Sequence, residues 1–466
     1  MEERSVLRPS EPAYWNEAGL SAELDRVFDI CHGCRLCWNV CPSFETLFKR
    51  IDEIDDINAA AGKSPAAAIS SVAETSVLLA PKPEGEHAAE ADPSLLTAKN
   101  PIEGLTPADR DRVVGECYQC KLCFNLCPYH PPHRFMLDFP RLMSRAVAQR
   151  RKREGPTLFE LISARVDLVG AINSLAAPLV NWTNRLPPFR ALLEAVLGVD
   201  RRRNLPLFHL ETFRRWWDWR GPKARSAGRV ALFYTCSVNY NEPQIGKAAV
   251  KVLEKNGFEV VCPEQICCGM PHMDAGDMSQ AQAAAARNVA RLLPFALSGV
   301  PIIALGPTCS FMLKDEYPYL LNNNDARRVA AMTFDISEFL MKLKKEGRLS
   351  EDFTHDDRPM TYHLPCHLKA QNMGFKSREL LELATGGKVR MIDRCSAHDG
   401  TWAMRKKYYD LSFKAGKKLF DEIPRQPEAR TATDCPLAGL QIQQGAGVVP
   451  KHPIEYVAEA YGCDPD

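Results

Sequence analysis

Cysteine is the residue of this chain with the most chemistry in it, present 17 times and in a pattern. Two blocks, CHGCRLCWNVCP from Cys31 and CYQCKLCFNLCP from Cys117, share the spacing Cys-x-x-Cys-x-x-Cys-x-x-x-Cys-Pro. They also share the order basic, Leu, Cys, aromatic, Asn, aliphatic, Cys, Pro, so this region is an internal duplication. Three thiolates on one tight loop can reach three irons of a cube; soft sulfur suits iron–sulfur chemistry, and loop amides can hydrogen-bond an anionic core. Zinc knuckles seldom need four regularly spaced cysteines closed by Pro, twice over. The chemistry implied is a pair of [4Fe–4S] clusters, whose common use is to move single electrons.

The spacing resembles that of bacterial ferredoxins, in which the fourth Cys of each run ligates the other cluster. That resemblance implies Cys31, Cys34, Cys37 and Cys127 around one cluster and Cys117, Cys120, Cys123 and Cys41 around the second. Trp38, Phe124 and Tyr118 read as packing around the clusters rather than as redox partners.

A second set of cysteines lies downstream. Cys236, ICCGMP with Cys267 and Cys268, and GPTCSFMLKDEYP with Cys309 are followed by PCHLKAQ at Cys366, DRCSAHDGTW at Cys395 and TDCPLAGLQI at Cys435. Cys236, Cys267 and Cys309 recur as Cys366, Cys395 and Cys435 at offsets of 130, 128 and 126, so this half is duplicated too. The two copies resemble CCG repeats of the heterodisulfide reductase type, the second of them degenerate. Joined to two amino-terminal clusters they resemble the iron–sulfur subunits of anaerobic glycerol-3-phosphate dehydrogenases and, more distantly, of glycolate oxidase. The resemblance covers Cys31 to Cys127 and Gly228 to about Gly462. It implies that the amino-terminal clusters relay electrons, and that the CCG half binds a further iron–sulfur centre or receives electrons at a thiol site.

The departures from the full pattern matter. Met312 stands where a CxxC ending would place its second Cys, leaving Cys236, Cys267, Cys268 and Cys309, enough for a third centre. The second copy has Ser396 and Ala438 at such positions, leaving Cys366, Cys395 and Cys435; a degenerate centre there needs a fourth ligand from His398, His367 or Asp399. Cys262 and Cys463 read as structural. No catalytic group is fixed by the motifs; His272, Asp274, His398 and Asp399 are candidates to line a pocket between the repeats, with His398 supplying a proton to a reduced acceptor.

The elements that must position these thiols follow from patterning. The approaches to Cys31 and Cys117 read as short helices opened by Ser21 and by Thr106 with Pro107. From about Asn58 to Asn100 an Ala-, Pro-, Ser- and Glu-rich insert reads as a mobile loop, and His133 to Arg153 as a helix ending in Arg150, Arg151, Lys152 and Arg153. Phe159 to Val199 reads as amphipathic helices, followed by FRRWWDWR; positive charge beside aromatics suits a membrane interface, a second protein of a complex, or a solvated helix face with tryptophans that pack between domains. From Gly228 strands alternate with helices, the pattern of parallel α/β units, and each chemical cysteine follows a strand. The expected architecture is an α-helical ferredoxin-like domain over 1–155 with two clusters, a helical linker over 156–227, and a duplicated α/β CCG-repeat domain over 228–345 and 346–466.

Composition bounds the function. Lys and Arg number 59 against 58 Asp and Glu, giving a net charge of +1, which argues against nucleic acid as a partner. The first residues, MEERSVLRPSEPAYWNEAG, carry charge without the apolar core of a signal peptide, so the expectation is a cytoplasmic, reducing location, peripheral at most on the inner face of the membrane. The strand before Cys236 runs into Thr-Cys-Ser-Val-Asn rather than GxGxxG, so flavin belongs on another chain. The reading is an electron-transfer subunit that stands between a partner flavoprotein dehydrogenase and an acceptor such as the quinone pool. The alternative is a CCG enzyme that reduces a disulfide-type substrate.

Overall fold

The computed structural model describes residues 5–60, 100–425 and 428–463; most of the insert expected over about 58–100 lies outside them. The amino-terminal half is helical: α1 (Glu17–Cys34), α2 (Pro42–Ala60), α3 (Pro107–Glu116), α4 (Leu122–Leu126) and α5 (Phe139–Glu154). Thr106 and Asp109 close a reciprocal capping box on α3, as expected. α1 begins earlier than Ser21, because Asn16, in extended backbone, accepts the Gly19 amide and caps it. α5 begins later than His133, because Asp138 accepts the Arg141 amide and leaves the residues before it as turns. Phe28, Phe44, Leu47, Phe48, Ile51 and Leu142 fill the helical core, and Cys31, Cys37, Cys41, Cys117 and Cys127 pack on its edge.

Five helices follow, Leu158–Ser163, Val166–Leu175, Ala177–Thr183, Pro187–Leu197 and Phe213–Arg220. In the last, FRRWWDWR takes the domain-packing alternative rather than the interfacial one. Trp216 and Trp217 are buried with Phe213 against the α/β core, Arg220 pairs with Glu254 at 2.6 Å, and only Trp219 faces out. The basic end of α5 is partly absorbed too: Arg151 pairs with Asp277 at 2.8 Å and Lys152 lies over Trp15. Among the described residues no helix is long and apolar enough to cross a membrane.

The remainder holds two parallel sheets. In the first, β1 (Gly228–Phe233), β2 (Phe258–Val261), β3 (Ile302–Ala304) and β4 (Thr333–Asp335) lie in the order β2-β1-β3-β4. In the second, β5 (Met360–His363), β6 (Val389–Ile392) and β7 (Arg430–Thr433) lie in the order β6-β5-β7. Near-continuous apolar runs such as the buried end of β1 are what strands covered on both faces require. In each sheet the first strand is inner and the chain crosses to either side of it, so the loops part at its carboxyl end and open a crevice there.

The halves meet closely. Gly276 sits at φ +74° against α5, where an added Cβ would lie 2.8 Å from the Val147 carbonyl and 3.0 Å from Ala148 Cα. Gly276→Ala combines a left-handed strain with a backbone clash, and is expected to cost about 2–3 kcal/mol; a denaturant midpoint unchanged from wild type would contradict this packing.

Candidate functional site

The duplicated loops deliver their thiols in the crossed arrangement. Cys31, Cys34, Cys37 and Cys127 lie within reach of one another's charge, and Cys41 lies likewise with Cys117, Cys120 and Cys123. Cys123 also feels Cys37, so the two groups abut. Burial, then mutual repulsion, pushes Cys37 up to about 12 and Cys41 and Cys123 well above the usual thiol range. Such thiols stay protonated unless a shared cationic core replaces their protons. Backbone amides already point at several sulfurs: those of Ser43 and Phe44 at Cys41, Leu122 at Cys120, and Tyr129 and His130 at Cys127. Among the described residues no three His, Cys, Asp or Glu side chains converge on a point suited to a single metal ion. An all-sulfur donor set with amide donors around it fits a larger anionic cluster instead.

The two groups differ in setting. Cys31, Cys34 and Cys37 are half-buried beside Leu36, which is 60% exposed, whereas Cys120 and Cys123 are buried at 7% and 8%. The first group therefore faces solvent and the second faces the α/β half.

In that half the cysteines gather at the carboxyl ends of the strands. Cys236 opens the helix Cys236–Tyr240 after β1, Cys267 and Cys268 follow β2, and Cys309 lies in the helix Pro307–Phe311 after β3. Thr235 holds an uncommon φ of +60° while its hydroxyl accepts the Val238 amide, so the local strain turns Cys236 into the crevice. Thiol-to-thiol hydrogen bonds run Cys236 to Cys267, Cys267 to Cys268 and Cys268 to Cys309. These four line a cavity of about 300 Å³, closed by Val166 and Gly170 of the linker and by Asp399, Gly400 and Cys435 of the second repeat.

Of the second repeat's thiols, Cys366 and Cys395 do not line that cavity. Cys366 lies with Cys395 and Cys435, and the charge it feels most strongly is that of Cys120 in the inner amino-terminal group. The Tyr118 hydroxyl is 3.0 Å from Cys395 Sγ, and His367 Nε2 donates to the Gln119 carbonyl at 2.9 Å. Of the three groups considered as a fourth ligand, His367 is engaged at both nitrogens, through Gln119 and Thr308, and Asp399 accepts the Thr401 and Ala403 amides. His398 is buried with both ring nitrogens unpartnered.

The pocket candidates divide. Asp274 and Asp399 line the cavity, whereas His398 and His272 do not, which corrects their expected place there. The loop that turns Asp399 to the cavity buries His398, and burial lowers its pKa to about 3, so it is no proton donor near neutral pH. Burial, then the charge of Asp399, raises Asp274 well above the usual carboxylate range. Burial raises Asp399 as well, but amides of Ala403, Trp402 and Thr401 offset part of that rise. Burial and mutual repulsion thus favour a proton on the pair. This carboxyl pair was legible only as two acids; its pairing depends on contact between the repeats.

The family model described as a cysteine-rich domain, CCG, matches residues 230–314, the strands and cysteines of the first repeat. The chain is 33% identical over 315 residues to an anaerobic glycerol-3-phosphate dehydrogenase subunit of Escherichia coli strain K12, an alignment covering 66% of this chain and 78% of the relative. The chain belongs to that family. It is also similar to lactate utilization protein A of Bacillus licheniformis, at 32% over 146 residues covering 30% of this chain and 58% of that protein. A third relative, a fumarate reductase (CoM/CoB) subunit of Methanothermobacter marburgensis, is 28% identical over 222 residues, covering 46% of this chain and 42% of that protein. The family is thus one of oxidoreductase subunits with a CCG domain.

Burial also makes the α/β half sensitive to acid. His363 is lowered to about 4 and His452, whose Nδ1 accepts the Ile454 amide as a helix cap, to about 3. Their folded values lie below the unfolded value of about 6.5, so the stability they contribute is complete above pH 6.5 and drains as pH falls toward 4 and 3. His452→Asn keeps a cap and removes one titration, so its stability is expected to fall less steeply over that window, by up to about 1.4 kcal/mol per pH unit. Equal slopes in chemical denaturation at pH 7, 6 and 5 would refute this.

Proposed function

We propose that this chain is the iron–sulfur electron-transfer subunit of a dehydrogenase complex. Two [4Fe–4S] clusters, one on Cys31, Cys34, Cys37 and Cys127 and one on Cys117, Cys120, Cys123 and Cys41, carry electrons between a partner flavoprotein and an acceptor. The observation that carries this reading is the crossed grouping of the eight thiols, each loop lending its last cysteine to the other. When bound, such clusters take up and release one electron each; the protein's own contribution is to hold the sulfurs, aim amides at them and exclude water.

The first group, half-exposed, is the station that meets the partner, and the second passes electrons inward. Tyr118 on Cys395 and Cys366 beside Cys120 support a route from the inner cluster into the second repeat. Cys236, Cys267, Cys268 and Cys309 are the residues to hold a third centre, on the cavity wall. The domain scheme follows: a two-cluster domain to about residue 155, a helical linker to 227, and repeats over 228–345 and 346–466. Membership in a family of dehydrogenase subunits, with no GxGxxG after β1, supports flavin on a partner chain.

The acceptor side is read from the linker. Leu168, Ile172 and Leu175 recur at helical spacing on one helix, Leu179 and Trp182 lie on the next, and all five are exposed. This apolar stripe supports a peripheral contact with a membrane, where a quinone acceptor would be found. A second reading, reduction of a disulfide-type substrate, is favoured by the cavity that the four first-repeat thiols line.

Anaerobically purified protein is expected to hold about eight iron and eight sulfide per chain from the two clusters, or about twelve with the third centre. Cys37→Ser or Cys123→Ser is expected to remove about four of each. About four or fewer in the wild type would end the two-cluster reading, and turnover of a disulfide by the reduced chain alone would favour the second.

A further inference from the structure

The duplication supplies its own internal comparison. Aligned by spacing, Gly33 of the first loop corresponds to Gln119 of the second, and Arg35 to Lys121. At Gly33 there is no side chain and nothing within 4 Å of an added Cβ. At Gln119 there is a buried amide whose Nε2 donates to Cys117 Sγ at 3.5 Å. Its orientation is not free: Lys121 Nζ donates to Oε1 at 3.0 Å and Ser144 Oγ to the same oxygen at 3.1 Å. Both partners give protons, so the amide oxygen faces them and the N–H group faces the sulfur.

The two basic residues differ in the same sense. Arg35 is half-buried and neutralised by Asp52 at the surface. Lys121 is buried, pairs with Glu316 at 3.1 Å, and lowers the cost of charge on both Cys117 and Cys120. Reduction adds one negative charge to a cluster. Burial opposes that charge, and an N–H···S bond and a nearby cation favour it. Left to burial alone, the inner cluster would be the poorer electron acceptor of the two.

We infer that Gln119, oriented by Lys121 and Ser144, is a positioning residue that holds up the reduction potential of the inner cluster, so that electrons arriving at the exposed cluster can continue inward. The inference rests on the two-cluster reading above and adds to it an assignment of potential control to residues that ligate nothing.

The test is a redox titration of the anaerobic holoprotein followed by electron paramagnetic resonance, with iron and sulfide measured on the same samples. Gln119 has φ +54°, a conformation glycine adopts freely, so Gln119→Gly gives the second loop the first loop's residue without a backbone penalty. Gln119→Glu keeps the shape and the Lys121 contact but turns an acceptor oxygen toward the sulfur. One of the two potentials is expected to fall in Gln119→Gly and to fall further in Gln119→Glu, while the other stays in place. Full cluster content with both potentials unmoved, or a rise, would overturn the inference alone. Wild-type protein without two clusters would overturn the reading beneath it as well.

Discussion

Gathering thiols in a low-dielectric interior is the constraint on which the rest of the structure depends. A single buried thiolate is costly, and four together repel one another; the crowding at Cys41 and Cys123 is at most partly relieved by the protein itself. Such an arrangement persists because a shared cationic core is the natural occupant and because backbone amides, already aimed at Cys41, Cys120 and Cys127, take part of the charge. The left-handed turns at Arg35 and Lys121 serve the same end, since each lets the loop curl around its cysteines.

The elements around the thiols read as consequences. The aromatic and aliphatic core of α1, α2, α3 and α5 holds the two loops face to face. The parallel sheets place the CCG cysteines at the carboxyl ends of their strands, where an α/β sheet opens naturally. Polar contacts then fasten the halves together near the sulfurs: Trp402 Nε1 donates to the Gly115 carbonyl at 2.8 Å, and Asn125 to that of Ala370 at 3.0 Å. In the proposed relay, contacts of this kind would fix the distance over which electrons pass.

How much of this was legible in the sequence follows from what kind of information spacing carries. The cysteine loops, the strand before each CCG cysteine and the cap at Thr106 are local and periodic, and the residues themselves announce them. Helix starts were less secure, because Asn16 competes with Ser21 and only the packed chain decides which caps α1. The fate of FRRWWDWR was legible only as alternatives: whether Trp216 meets lipid, a partner or the β-sheet core is a tertiary question. Nor was the approach of Cys366 and Cys395 to the inner amino-terminal group, since nothing in the spacing relates residues more than 200 positions apart. His398 looked like a donor because loop histidines titrate near neutrality; burial removes that property.

The central claim is that two clusters lie side by side on the crossed ligand sets. Adjacent paramagnetic clusters interact, so the electron paramagnetic resonance spectrum of the fully reduced holoprotein tests the claim most directly. The account predicts a broadened, spin-coupled signal integrating to about two spins per chain. A single sharp signal of about one spin, unchanged when Cys127 or Cys41 is replaced, would contradict it.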